Sequence, residues 1–167
     1  MPVAIQLPTL QPTDAPWAYC KDFIVGRVQT LRLSRIGMNV LSMSAPQPDD
    51  PRVKFPCVMV TTEDERAERL PGTTEHKDWL LPVRVFLADR DTALRNEREV
   101  EWLTWHQQVL NAFDQKPLGR MPGLNLYWVE AHPQVAYDRE AAAYRYVVGS
   151  VLLKCSTREP RDFNRET

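Results

Sequence analysis

The chain has 167 residues, of which 43% are hydrophobic and 26% charged, and its formal net charge is −1. That length and apolar content can build one core without disulfides or metal, and the near-cancelled charge excludes the strong basic field of a nucleic-acid-binding surface. No apolar run approaches the roughly 18 residues that a spanning helix needs, and the N-terminal MPVAIQLPTLQPTD has neither the basic nor the apolar region of a signal peptide.

Residues 1–13 contain Pro2, Pro8 and Pro12 and few large apolar groups, which predicts an extended arm. Thr13 or Asp14 then caps a helix that tolerates Pro16 in its first turn, and Trp17, Cys20, Ile24, Val28 and Leu31 recur along one face, with Gly26 as a weak point. Alternation over Met38–Met43 predicts a short strand before the break APQPDDP. Phe55–Thr62, reading FPCVMVTT, is β-branched and apolar enough for a buried strand. Residues 63–78 are too polar for a core and contain Pro71-Gly72, so they read as a long, exposed, hairpin-like connection. Leu81, Val83, Val85 and Leu87 alternate with Arg84, Phe86 and Ala88, the period of a strand with one better-buried face.

Asn96 with Glu99 has capping-box spacing, and Trp102, Trp105, Val109 and Phe113 line the helix that follows, with His106 and Ala112 at the edges of that face. Lys116-Pro117 ends it, and PLGRMPG is a loop. Two more strands are expected, Leu124–Ala131 and Ala143–Ser156, the latter with Gly149 as a bulge and Val147, Val151, Leu153 and Cys155 on one face. Residues 158–167 form a polar tail. The expected class is α+β: a mostly antiparallel sheet of four to five strands with two helices on one face, in a single domain over residues 14–157.

Chemistry is sparse. His76, His106 and His132 fall in a loop, on a helix edge and beside a proline turn, and none accompanies a nucleophile motif. Cys20, Cys57 and Cys155 lack metal-ligand spacing and leave one thiol unpaired under any disulfide scheme, which points to a reducing compartment, and Cys57 and Cys155 sit in apolar strand-like runs where a cysteine serves as a small core residue. None of the six glycines forms a phosphate loop. No catalytic, metal or cofactor site is expected, so the function classes left are assembly subunit and binding module.

The candidate contact residues are accordingly aromatic or charged. Trp17, Trp102, Trp105 and His106 are read as subunit-interface groups, because interface centres favour large aromatics. Glu63, Asp64, Glu65, Arg66 and Arg69 form a mixed-charge run, better suited to a solvated or docking face than to holding a cation.

PCVMV, LLPVRVFLADRD, EVEWLTWHQQVLNAF with QKPLG, and YRYVVGSVLLKCSTREP occur in an order that resembles the tail terminator and tail-completion proteins of long-tailed phages. The resemblance covers about Asp14 to Pro160. It implies an N-terminal helix, an antiparallel sheet and a helix inserted before the last strand pair. It also implies a ring, typically hexameric, that caps the tail tube and meets the head connector, with DNA only passing through its lumen and no membrane partner. A head-completion stopper or adaptor, or a ferredoxin-like ligand-binding module, are the alternative readings. The site of action would be the virion, after assembly in the host cytoplasm.

Overall fold

The computed structural model describes residues 16–47, 49–62, 65–90, 95–113, 120–121, 124–133 and 147–160. The arm, its capping residues, the exit from the second helix and the last seven residues lie outside that set. The elements run α1 (Pro16–Thr30), β1 (Val40–Ser42), β2 (Cys57–Thr61), β3 (Glu68–Leu70), β4 (His76–Ala88), α2 (Arg95–Phe113), β5 (Arg120–Met121), β6 (Leu124–Pro133) and β7 (Val147–Pro160). The α+β class and both helices are as expected, and so are the five longer or sequence-evident strands β1, β2, β4, β6 and β7. The short β3 and β5 are additions, in segments that read as connection and loop. β7 continues to Pro160, so the first three residues of the expected polar tail belong to the sheet.

All strands join one sheet in the order β1-β2-β4-β7-β6-β5, with β3 also on β4. Every pairing is antiparallel except β1 with β2. The spine is β4 against β7, paired from His76↔Pro160 to Ala88↔Val147, with the expected irregularity next to Gly149. β2 and β3 share the other edge of β4: Thr61 faces Arg84 and Glu68 faces Leu80. Between those two pairs β2–β3 advances seven residues (68 − 61) and β4 four (84 − 80), so the chain makes a three-residue excursion there. Pro82 sits in that gap, where its missing N–H costs no ladder bond.

Alternation along the strands divides the core. Val58 and Val60, Leu81, Val83, Val85 and Leu87, and Val151, Leu153 and Cys155 belong to one cluster that also holds Cys20, Ile24 and Val28 of α1 and Trp102, Trp105, Val109 and Phe113 of α2. The alternate positions Cys57, Met59, Phe86 and Ala88 join Met43, with Val53 and Phe55 packed on them, in a second cluster. The β1–β2 connection is thus folded over the sheet. Asn39 fixes it, its Nδ2 donating to the carbonyls of Lys54 and Pro56 at 2.6 and 2.9 Å. All three cysteines are buried and unbridged. Burial raises the Cys57 thiol to about 11, with the charge of Asp89 adding to it.

Pro71-Gly72 closes the β3–β4 hairpin. A Cβ at Gly72 would stand 2.5 Å from the His76 carbonyl oxygen, a backbone atom that cannot step aside, whereas one at Gly26 on α1 meets nothing within 4 Å. Gly72→Ala should therefore lose about 1–3 kcal/mol of stability, and Gly26→Ala should gain about 0.5–1 kcal/mol by relieving helix entropy. Urea denaturation of the two variants checks this pair of opposite signs.

Candidate interaction site

Three polar anchors fasten the elements to one another, and they decide which of the expected contact residues remain free. The largest lies where β4 ends. Asp89 is buried, with a side chain 6% exposed. Its Oδ1 accepts the Arg90 N–H at 2.8 Å; its Oδ2 accepts from Arg35 Nη2 at 2.7 Å and from Trp102 Nε1 at 3.0 Å. Arg98 comes within 4.0 Å of the same oxygen. Arg35 also binds Glu101, donating from Nε at 2.7 Å and from Nη2. Ser34 donates to Glu101 at 2.8 Å and accepts from Trp105 Nε1 at 2.8 Å, and the Arg35 guanidinium lies 5.3 Å from the centre of the Trp105 ring.

This network holds the α1–β1 loop in a demanding shape. Arg35 has φ 61° and Arg32 φ 48°, the left-handed region that side chains with a Cβ disfavour by about 1–2 kcal/mol. At Arg35 two carboxylates and an indole face offset that cost. Burial alone would raise the Asp89 carboxyl, but the hydrogen bonds from Arg35, Trp102 and the Arg90 amide outweigh it and the net shift is downward. Glu101 is lowered chiefly by Arg35, and Arg35 is raised chiefly by Glu101. An ionised carboxylate with its lone pairs so occupied is a clamp, unsuited to taking a proton from a substrate.

The second anchor is at the β2–β3 excursion, where Arg84 Nε donates to Glu65 at 2.6 Å. In the third, Arg158 of β7 grips Asp78 of β4 through two bonds of 2.8 and 2.9 Å, and Arg69 of β3 lies 5.9 Å from the Trp79 ring centre. Trp17 Nε1 donates to the Pro82 carbonyl at 2.9 Å and so roots α1 on the gap in the β4 edge.

Two of the expected interface aromatics are therefore core residues. Trp105 is fully buried and Trp102 7% exposed, with His106 beside them at 9%, so these side chains are taken up mainly by packing within their own chain. The indole N–H groups of Trp102 and Trp105 point into the network above. Trp17 is half-buried and engaged within its own chain, and Glu65 is paired with Arg84. Arg66 and Arg69 remain on the surface; Glu63 and Asp64 lie outside the described residues. Among the described residues the large apolar side chains that are exposed are instead Met38 at 51%, Val100 at 74% and Leu103 at 47%. Val100 and Leu103 are three residues apart on α2, a spacing visible in the sequence but overshadowed by the tryptophans. Ser34, Arg35, Asp89 and Glu101 gave no local signal.

Among the described residues no group of three or more His, Cys, Asp or Glu side chains could hold a metal ion, and no helix is long and apolar enough to cross a membrane. No protein-family model matches the chain, and a search of the curated proteins finds no match.

Removing Arg35 while keeping its stem, as in Arg35→Met, strands the Asp89 carboxylate and should destabilise the fold by about 2–3 kcal/mol at pH 7. Asp89 and Glu101 both titrate lower in the folded chain than in the unfolded one, so their contribution is complete above about pH 4 and fades as the pH falls through the depressed native values. The gap in urea midpoint between wild type and Arg35→Met should accordingly be wide at pH 7 and narrow at pH 3.

Proposed function

We propose that this chain is a structural subunit of a phage neck, a tail terminator whose copies close into a ring on the finished tail tube and offer a surface to the head connector. What supports this reading is the order of elements: an N-terminal helix, an antiparallel sheet, and a helix inserted ahead of the final pair β6 and β7, the arrangement that the resemblance leads one to expect. The polar groups fit the same reading. Asp89, Glu101, Glu65 and Asp78 are all occupied by arginines of their own chain, which suits a rigid building block.

A closed ring needs two different patches that meet head to tail. With Trp102 and Trp105 in the core, Val100 and Leu103 on α2, the charged stretch around Arg66 and Arg69, and the N-terminal arm are the groups offered for contact. DNA is a passenger in this scheme, and a net charge of −1 avoids the phosphate grip that would stall it. The ring works in the virion after assembly in the host cytoplasm, with six copies by the resemblance.

Light scattering and negative-stain imaging of the purified protein should reveal closed rings, free or on tube ends. A strict monomer that ignores tubes defeats the proposal, and rings that bind the connector but never a tube reassign the protein as a stopper or adaptor. Deleting residues 1–12 should leave the fold intact by circular dichroism and weaken ring formation; unchanged assembly removes the arm from the scheme.

A further inference from the structure

Cys20 and Cys155 stand 135 positions apart in the chain (155 − 20) and meet in its core. Cys20 lies on the face of α1 that also buries Ile24 and Val28, and Cys155 lies in β7 between Leu81 of β4 and Val129 of β6. Both are fully buried in the cluster that fills the helix side of the sheet, and their thiols share a side-chain hydrogen bond. Cys57, the third thiol, belongs to the cluster on the opposite face, so the sheet separates it from the pair.

A disulfide requires two cysteines whose Cβ atoms face each other across a short gap, and thiols that share a hydrogen bond already approach that arrangement. The two sulfurs differ in how they are held. Cys20 is in the second turn of α1, whereas Cys155 is clasped by a strand on each side. The end of a helix opens more readily than a strand paired along both edges. Its contact with Cys20, together with burial, raises the Cys155 thiol, so that sulfur keeps its proton. Cys20 is therefore the one that meets an oxidant first.

We infer that Cys20 and Cys155 are a latent disulfide, which a peroxide closes to latch α1 onto β7. As a thiolate, Cys20 attacks one peroxide oxygen, the O–O bond breaks, and the released hydroxide takes up a proton and leaves as water. The Cys155 sulfur then attacks the sulfur of the Cys20 sulfenic acid, whose hydroxyl departs with the Cys155 proton as a second water. Two thiols are oxidised to one disulfide while one peroxide is reduced. A bridge across so long a loop removes much of the freedom of the unfolded chain and stabilises the fold. The latch belongs to a single chain and stands apart from the ring reading.

Hydrogen peroxide added to the full-length protein, at urea concentrations below its unfolding transition so that α1 can open locally, tests it. Maleimide labelling in denaturant should fall from the three free thiols to Cys57 alone, and a digest of the monomer should contain residues 20 and 155 joined. The bridge should raise the urea midpoint by about 1–2 M, reversibly with dithiothreitol. Cys57→Ala should keep that gain, whereas Cys20→Ala and Cys155→Ala, each compared with its own untreated form, should show none. Three thiols still labelled at every urea concentration, or a bridge that includes Cys57, overturns the inference. A 20–155 bridge that forms only in the unfolded chain, or that does not raise the midpoint, overturns it as well.

Discussion

The ladder between β4 and β7 is the constraint on which the other contacts depend. Thirteen residues of β4, His76–Ala88, are each matched to a partner in β7, about 70 positions further along the chain. Closing so long a loop is entropically costly before the pairs form, and it is offset only because both faces of the central stretch are covered. Leu81, Val83, Val85 and Leu87 meet the helices, while Phe86 and Ala88 meet the β1–β2 connection. At its distal end, His76–Leu80, the same ladder is half-buried, and there the Asp78–Arg158 pair and the Arg69–Trp79 contact replace apolar cover.

The other end of β4 is closed differently. Asp89 follows the last strand residue, and its two oxygens gather the α1–β1 loop, Trp102 in the middle of α2 and the next backbone amide. Through Arg35 the same group reaches Glu101, Ser34 and the indole of Trp105. A buried carboxylate is expensive unless its acceptors are filled; here they are filled by groups from three elements. Register, loop shape and helix position are thereby fixed relative to one another at a single point.

Much of this was legible from residue order, and the rest was not for definite reasons. Alternation at Leu81–Leu87 and the three-and-four spacing of Trp102, Trp105, Val109 and Phe113 marked strand and helix because periodicity is a local property. The same spacing could not say whether the tryptophans face a core or a neighbour, since both environments favour large aromatics. Glu68-Arg69-Leu70 has no apolar alternation and becomes a strand only because the Gly72 turn lays it on β4. The parallel pairing of β1 with β2 depends on a connection whose path Asn39 sets through two carbonyls. Arg35–Asp89 and Arg158–Asp78 join residues 54 and 80 positions apart, beyond the reach of any motif.

Among the described residues nothing pairs with the outer sides of β1 and β3, Val100 and Leu103 of α2 are exposed, and Asp78, Asp89 and Glu101 are each bound by an arginine of their own chain. The physical claim beneath that picture is that the middle of the β4–β7 ladder is the last part of the chain to open. Native-state hydrogen exchange tests it most directly: amides of Leu81–Leu87 and Val151–Cys155 should exchange only with global unfolding, well after those of β3 and of His76–Leu80. Exchange of the central ladder together with, or ahead of, the β3 hairpin would contradict the account.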